Sequence, residues 1–170
     1  PVSMIYYLCL GSNLNNPVSQ LDGAIQHLEN DPGIKILRSS KRIITEPYGI
    51  INQPDFLNQV LEVESSYQPQ ELMERLLNIE KAMGRIRRIK WGPRNIDIDI
   101  LFAGDLVLDS RITPLEKSSP EVIIPHPDLH NREFALRLLN ELIPNAKHPL
   151  MHKTIYELYY SIVAEEEYYE

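Results

Sequence analysis

The sequence predicts a mixed α/β (α+β) fold with an antiparallel sheet, and three observations carry that expectation. Before residue 103, β-branched and alternating apolar runs mark four strands, and two segments between them repeat apolar residues at helical spacing. The resulting order of strand, helix, strand, strand, helix, strand is that of a ferredoxin-like split βαβ core, in which two helices cover one face of the sheet. Two more helical patterns follow residue 131, which places helices on both sides of the sheet as C-terminal additions. With 170 residues, 43% of them hydrophobic, the chain is long enough for one well-buried core and too short for two comfortable ones, so residues 1–170 are read as a single domain.

Each element has a local cause. Residues 4 to 10 form an apolar run that reads as a buried strand, and Gly11-Ser-Asn-Leu-Asn-Asn-Pro17 ends it. Asn16 is placed to cap the next helix, with Pro17 in its first turn, where a missing N–H costs nothing. Val18, Leu21, Ile25 and Leu28 give that helix its apolar stripe, and Asp31-Pro-Gly33 breaks it. Residues 34 to 45 carry the β-branched content of one long strand, which runs into Glu46-Pro-Tyr-Gly49 and a loop to Asp55. Residues 56 to 65 make the strand expected to pair back on it as a hairpin-like unit.

Pro69 opens the second helix, with Leu72, Leu76, Ile79 and Met83 on one face, and Gly84 stops it. Beyond the strand that ends at Phe102, Gly104-Asp105 turns into Leu106-Val-Leu108, and an extended, proline-punctuated connection runs from Arg111 to Pro125. Its length suits a functional loop better than a simple linker. Residues 132 to 142 and 154 to 163 read as helices, the second opened by a Thr154/Glu157 capping box, and the acidic tail from Glu165 reads as a frayed end.

A net charge of -7 and a pI near 5.3 argue against a broad nucleic-acid-binding face. No run of about 18 apolar residues is present, so no membrane span is expected. The single cysteine, Cys9, lies in an apolar run and reads as a buried structural thiol, which fits a reducing, cytoplasmic setting. The expected partner is a small anion.

Chemistry concentrates between Gly84 and Ile100. Arg85, Arg87, Arg88, Lys90 and Arg94 place five cations and no acid ahead of Asp97. Asp97 and Asp99 alternate with Ile96, Ile98 and Ile100, so the two-residue period of a strand puts both carboxylates on one face. Two neighbouring aspartates repel unless a cation lies between them, and hard oxygen ligands suit magnesium shared with phosphate oxygens. Taken alone, a D-x-D strand is as often an ordinary solvent-facing edge, and a charge run is usually a solvated loop. Trp91-Gly-Pro-Arg94 weighs against the second reading, because an exposed loop rarely needs the chain's only tryptophan. His126 and Arg132 can add donors to a polyphosphate, although helix-start and structural roles explain them about as well. Gly11-Ser-Asn13 is neither a Walker loop nor a dinucleotide fingerprint.

Taken together, Leu10-Gly-Ser-Asn-Leu14, Thr45-Glu-Pro47, Gln53-Pro-Asp-Phe-Leu-Asn58, Glu80 with Gly84-Arg85, Trp91-Gly-Pro-Arg-Asn-Ile-Asp-Ile-Asp99, and Pro125-His-Pro127 with Arg132-Glu-Phe134 resemble the hydroxymethyldihydropterin pyrophosphokinase family of folate synthesis. That resemblance implies transfer of the terminal diphosphate of ATP to a reduced pterin, with two Mg2+ ions (magnesium) and release of AMP. It also implies roles by position. Asp97 and Asp99 bind metal, with Asp97 a candidate proton acceptor. Arg87, Arg94, His126 and Arg132 contact phosphates, with Trp91, Glu80 and the backbone near Ile100 also on the ATP side. Phe56 and Phe134 sandwich the pterin while Thr45, Pro47, Asn58 and Trp91 complete its pocket. Glu46 stands where many relatives have proline, and Phe56 where tyrosine is common. Some relatives are fused to neighbouring folate enzymes. A non-catalytic nucleotide- or metabolite-binding regulatory module and a metal-dependent phosphohydrolase are the competing readings, and the paired aspartates favour an enzyme over the first.

Overall fold

The computed structural model describes residues 2–47, 49, 52–84, 92, 94–112 and 119–169, with side chains as far as 166. Its main sheet has four principal strands, β1 (Met4–Ser12), β2 (Ile34–Ser39), β4 (Phe56–Ser65) and β5 (Asp97–Phe102), in the order β2-β4-β1-β5. The short β3 (Ile43–Thr45) also pairs with β4, and every pairing in the sheet is antiparallel. This order is the one expected of a ferredoxin-like core, with the first and last strands side by side.

Strand periodicity splits the sheet into two chemically different faces. Tyr6, Leu8 and Leu10 of β1, Leu61 and Val63 of β4, and Ile98 and Ile100 of β5 form one of them. This face is covered by α1 (Pro17–Glu29), through Leu21, Ala24 and Leu28, and by α2 (Pro69–Ala82), through Leu72, Leu76 and Ile79. Burying one such aliphatic side chain contributes about 2 kcal/mol. The opposite face presents Tyr7, Cys9 and Gly11 of β1 beside Glu62, Val60 and Asn58 of β4.

Along β5 that face carries Asp97 and Asp99, and then the pattern changes. A register shift between Tyr7 and Leu8 pairs Leu8 with Ile100 and Tyr7 with Phe102, so Leu101 is the extra residue of a bulge. Both Leu101 and Phe102 consequently join the second core. That core is closed by α3 (Glu133–Leu142) and α4 (Ile155–Tyr169), through Leu136, Leu139 and Leu158 among others. The two helices cover one end of the face and leave the Asp97 end accessible.

Several expectations need correction. The strand expected over residues 34 to 45 is two strands, because Ser40 turns inward and its Oγ accepts from the Val60 N–H at 2.9 Å while donating to the Lys41 carbonyl at 2.8 Å. Val18 is 52% exposed, so the α1 stripe runs through Ala24 instead. Helix α4 continues to Tyr169 rather than fraying from Glu165, since Glu and Ala are good helix formers and Ile162 still packs inward. The connection before His126 is not wholly irregular: β6 (Leu108–Asp109) pairs with β7 (Ile123–Ile124). Other local readings hold, including the Asn16 cap accepting from Ser19 N, left-handed Gly84 after α2, and the reciprocal Thr154/Glu157 bonds of 3.1 and 3.0 Å. Among the described residues, no helix is long and apolar enough to cross a membrane.

Candidate active site

The open end of the second face is a cavity of about 370 Å3. Its floor is the sheet itself. Gly11 pairs with Asn58 on one side and Asp97 on the other, and Cys9 pairs with Val60 and Asp99. Phe56 and Thr45 rise from β4 and β3, while Arg132 and Phe134 reach in from the start of α3, and Arg94 enters from the segment before β5. One cavity therefore gathers the aromatic pair Phe56 and Phe134, the Asn58 carboxamide, the Asp97 and Asp99 carboxylates and the Arg94 and Arg132 guanidinium groups, among others.

The charges are only partly matched. Arg94 Nη1 lies 3.2 Å from Asp97 Oδ2, and Arg132 Nη1 lies 3.4 Å from Asp99 Oδ2. Arg132 also lies 5.8 Å from the Phe134 ring centre, so its position is shared between a carboxylate and an aromatic face. Burial, then the neighbouring Asp97 carboxylate, pushes the Asp99 carboxyl up to about 7 against the pull of Arg132. A group so placed gains either from a proton or from a metal cation. The donor set fits magnesium, which uses one or two carboxylates together with substrate oxygens and water. Among the described residues, no three His, Cys, Asp or Glu side chains converge as a closed metal cage.

Two other titratable groups are tuned away from charge. The Cys9 thiol, 5% exposed, is pushed far up by burial and then by Asp99, so it is an inert part of the floor. Burial, then Arg132, lowers the His126 imidazole to about 4. His126 Nδ1 accepts from Asp128 N–H at 3.1 Å, which assigns the ring proton to Nε2 and makes His126 a neutral donor.

Supporting bonds hold the pieces in place. Asn58 Nδ2 donates to Thr45 Oγ1 at 2.6 Å. Buried Asn13 ties three segments together: its Nδ2 donates to Gln53 Oε1 and the Pro54 carbonyl, and its Oδ1 accepts from Arg94 N–H at 2.8 Å. Its own N–H donates to the Arg94 carbonyl at 3.1 Å, so Arg94 is clamped on both sides of its backbone. Reading Gly11-Ser-Asn13 only as a failed phosphate cradle missed this function. The available signal was an asparagine at the end of an apolar strand, where a side chain with both donors and acceptor suits loop clamping.

Thr45, Phe56, Asn58, Arg94, Asp97, Asp99, Arg132 and Phe134 are thus brought to one cavity. Glu80, expected on the ATP side, is 3% exposed and its Oε2 accepts from Ile98 N–H at 2.7 Å, which seats the start of β5. Ile100 is buried in the core covered by α1 and α2, and its backbone pairs with Leu8 of β1. Pro47 and His126 are not on the cavity wall, whereas Glu46, Asp128, Asn131 and Glu133, which sequence reasoning did not assign there, are. Arg87 and Trp91 lie outside the described residues. A larger cavity of about 430 Å3 at the other end of the same face is lined mainly by apolar groups such as Met4, Phe102 and Ile143. It has no convergent charged groups apart from Glu62, which is already paired.

Comparison with known proteins bears directly on this arrangement. A pyrophosphokinase of Aquifex aeolicus, named for 2-amino-4-hydroxy-6-hydroxymethyldihydropteridine, is 38% identical over 151 residues covering 89% of this chain and 88% of its own. The folic acid synthesis protein fol1 of Schizosaccharomyces pombe is 38% identical over 153 residues, 90% of this chain and 20% of its own length. Plasmodium falciparum HPPK-DHPS, solved with pteroate, superposes with a TM-score of 0.75 at 19% identity over 99% of this chain and 44% of that one, a likeness of fold. Residues 7–144 match the 7,8-dihydro-6-hydroxymethylpterin-pyrophosphokinase family, and the chain belongs to it.

Proposed function

We propose that this protein transfers the terminal diphosphate of ATP to the hydroxymethyl group of 6-hydroxymethyl-7,8-dihydropterin and releases AMP, as an ATP-dependent pyrophosphokinase of folate biosynthesis. One observation carries the reading beyond family membership: a single cavity holds the Phe56, Phe134 and Asn58 set together with the Asp97, Asp99, Arg94 and Arg132 set. The first set suits a flat heterocycle rich in donors and acceptors, and the second suits metal-bound polyphosphate.

In this reading the pterin hydroxyl oxygen forms a bond to the β-phosphorus as the bond from that phosphorus to the AMP oxygen breaks. The hydroxyl proton passes to Asp97. Asp97 and Asp99 hold two magnesium ions, which when bound supply charge neutralisation on the phosphate oxygens. Arg94 and Arg132 bind phosphate oxygens, and His126 donates through Nε2. Asn13 keeps Arg94 in place while Thr45 orients the Asn58 amide toward the heterocycle. Little covalent chemistry is asked of the protein, so positioning and electrostatics are its main contributions. Arg87 and Trp91 are assigned to the phosphate and pterin sides by family resemblance. Residues 1–170 form one catalytic domain in this view, working in the cytoplasm, free-standing or joined to neighbouring folate enzymes.

The test is product analysis. Incubation with MgATP is expected to yield AMP and pterin diphosphate only when hydroxymethyldihydropterin is present. ADP and phosphate appearing at the same rate without pterin would instead identify a phosphohydrolase. Full activity in chelator-treated, metal-free buffer would remove the magnesium assignment.

A further inference from the structure

Gly11 stands at the middle of the site floor, between Asn58 of β4 and Asp97 of β5. Neighbouring strands lie about 4.8 Å apart, so roughly 10 Å separates the backbones of those two residues across the glycine. Glycine inside a strand that is paired on both edges forfeits side-chain packing, and its usual causes are a bulge, a special backbone angle or the close approach of another group. A bulge is not the cause, because the β1–β4 ladder runs through Gly11 without a shift and the β1–β5 shift lies at Tyr7 and Leu8. Nor is a special backbone, since the positive-φ glycines are Gly49, Gly84 and Gly104.

Space is what remains. A Cβ at position 11 would lie 2.9 Å from Asn58 Oδ1 and 3.8 Å from Phe56 Cδ1. Asn58 has little freedom to yield, being 5% exposed and held by its 2.6 Å bond to Thr45 Oγ1.

We propose that Gly11 is a positioning residue for acceptor recognition, whose missing side chain leaves the space above β1 that the Asn58 carboxamide occupies, so that the amide is held where it reads one edge of the heterocycle. The inference rests on the pyrophosphokinase reading and adds a residue on which the aim of that amide depends. A methyl group at position 11 would take the space now filled by Asn58 Oδ1 and turn the amide away from the acceptor.

The experiment is a double-mutant cycle on Gly11→Ala and Asn58→Ala, read by the KM for hydroxymethyldihydropterin, by kcat, by binding of a non-hydrolysable MgATP analogue and by melting temperature. Gly11→Ala is expected to raise the pterin KM by about tenfold or more while changing nucleotide binding by less than about twofold, a selective loss typical of one misplaced methyl group. Once Asn58 is truncated, adding Gly11→Ala is expected to cost little more, because the clash has lost its partner. Fully additive losses, an unchanged pterin KM, or a Gly11→Ala protein that no longer folds or binds nucleotide would each overturn the proposal. A wild-type enzyme that makes no AMP with pterin sinks the underlying reading, whereas an active wild type with an indifferent Gly11→Ala sinks only this one.

Discussion

A lone carboxylate, Glu62, and a carboxylate pair, Asp97 and Asp99, occupy opposite ends of the same sheet face, and they are built differently. At one end Glu62 is saturated: Arg38 Nε donates to its Oε1 at 2.9 Å, Arg38 Nη2 to its Oε2 at 2.7 Å, and the Tyr7 hydroxyl to Oε2 at 2.6 Å. The Arg38 bonds, assisted by Tyr7 and opposed by burial, hold the Glu62 carboxyl below the usual carboxylate range. At the other end Arg94 Nη1 lies 3.2 Å from Asp97 and Arg132 Nη1 lies 3.4 Å from Asp99, both longer than the Glu62 bonds, and burial together with the neighbouring Asp97 carboxylate raises Asp99. Polar character alone therefore does not mark a site. A carboxylate held by three short, fixed bonds stabilises the fold, whereas two adjacent carboxylates that repel one another cost stability and are where function is sought.

The contrast predicts opposite trades between activity and stability. The largest effect is expected for Asp97→Ala, which should lower turnover by at least about 10^3-fold, since in the proposed mechanism it would remove a metal ligand and the proton acceptor together. AMP formation measures this, and the protein should remain folded by circular dichroism. An active Asp97→Ala enzyme would erase the distinction between the two ends.

Glu62→Ala should do the reverse. It leaves Tyr7 and Arg38 without their acceptor, and because Arg38 is half exposed the cost is about 2 kcal/mol, below the roughly 3–5 kcal/mol of a fully buried broken pair. Urea denaturation measures the loss, with KM and kcat for both substrates expected to stay near wild type. In the same assay, Asp99→Asn in chelator-treated protein at pH 8 should hold or raise the urea midpoint, because it relieves like-charge repulsion, while destroying transfer.

The smallest effect is in the pH dependence of the fold. Since the folded value of Glu62 is depressed, the stability it supplies is complete above the ordinary carboxylate value of about 4.3 and is lost as pH falls through the lower folded value. Melting curves of wild type should therefore drop across that acid window more steeply than those of Glu62→Gln. Equal slopes would mean that the Arg38 and Tyr7 bonds contribute nothing to the titration.

Much of the core was legible because its cause is local. The Asn16 cap, Pro17 and Pro69 at helix starts, Gly84 at a helix end and the alternation around Asp97 act over a few residues, and each appears where the sequence placed it. Long-range substitutions were less legible. Ser40 divides a strand because its hydroxyl reaches β4, Glu80 faces inward because the Ile98 N–H needs an acceptor, and Asn13 clamps Arg94 and Gln53 across separations of 81 and 40 residues. Such bonds depend on which segments become neighbours, which no sequence period records.

By itself, the sequence determined the order of the core elements apart from the break at Ser40, the single face shared by Asp97 and Asp99, and the family to which the chain belongs, since periodicity and contiguous motifs are properties of one stretch of chain. Tertiary structure alone decided that Asn58, Gly11 and Asp97 stand abreast on three strands, that Arg94 and Arg132 each meet a different aspartate, and that Glu62 is held by Arg38 and Tyr7. Those outcomes follow from strand register and cross-chain hydrogen bonding, whose free energies come from partners that only folding brings together.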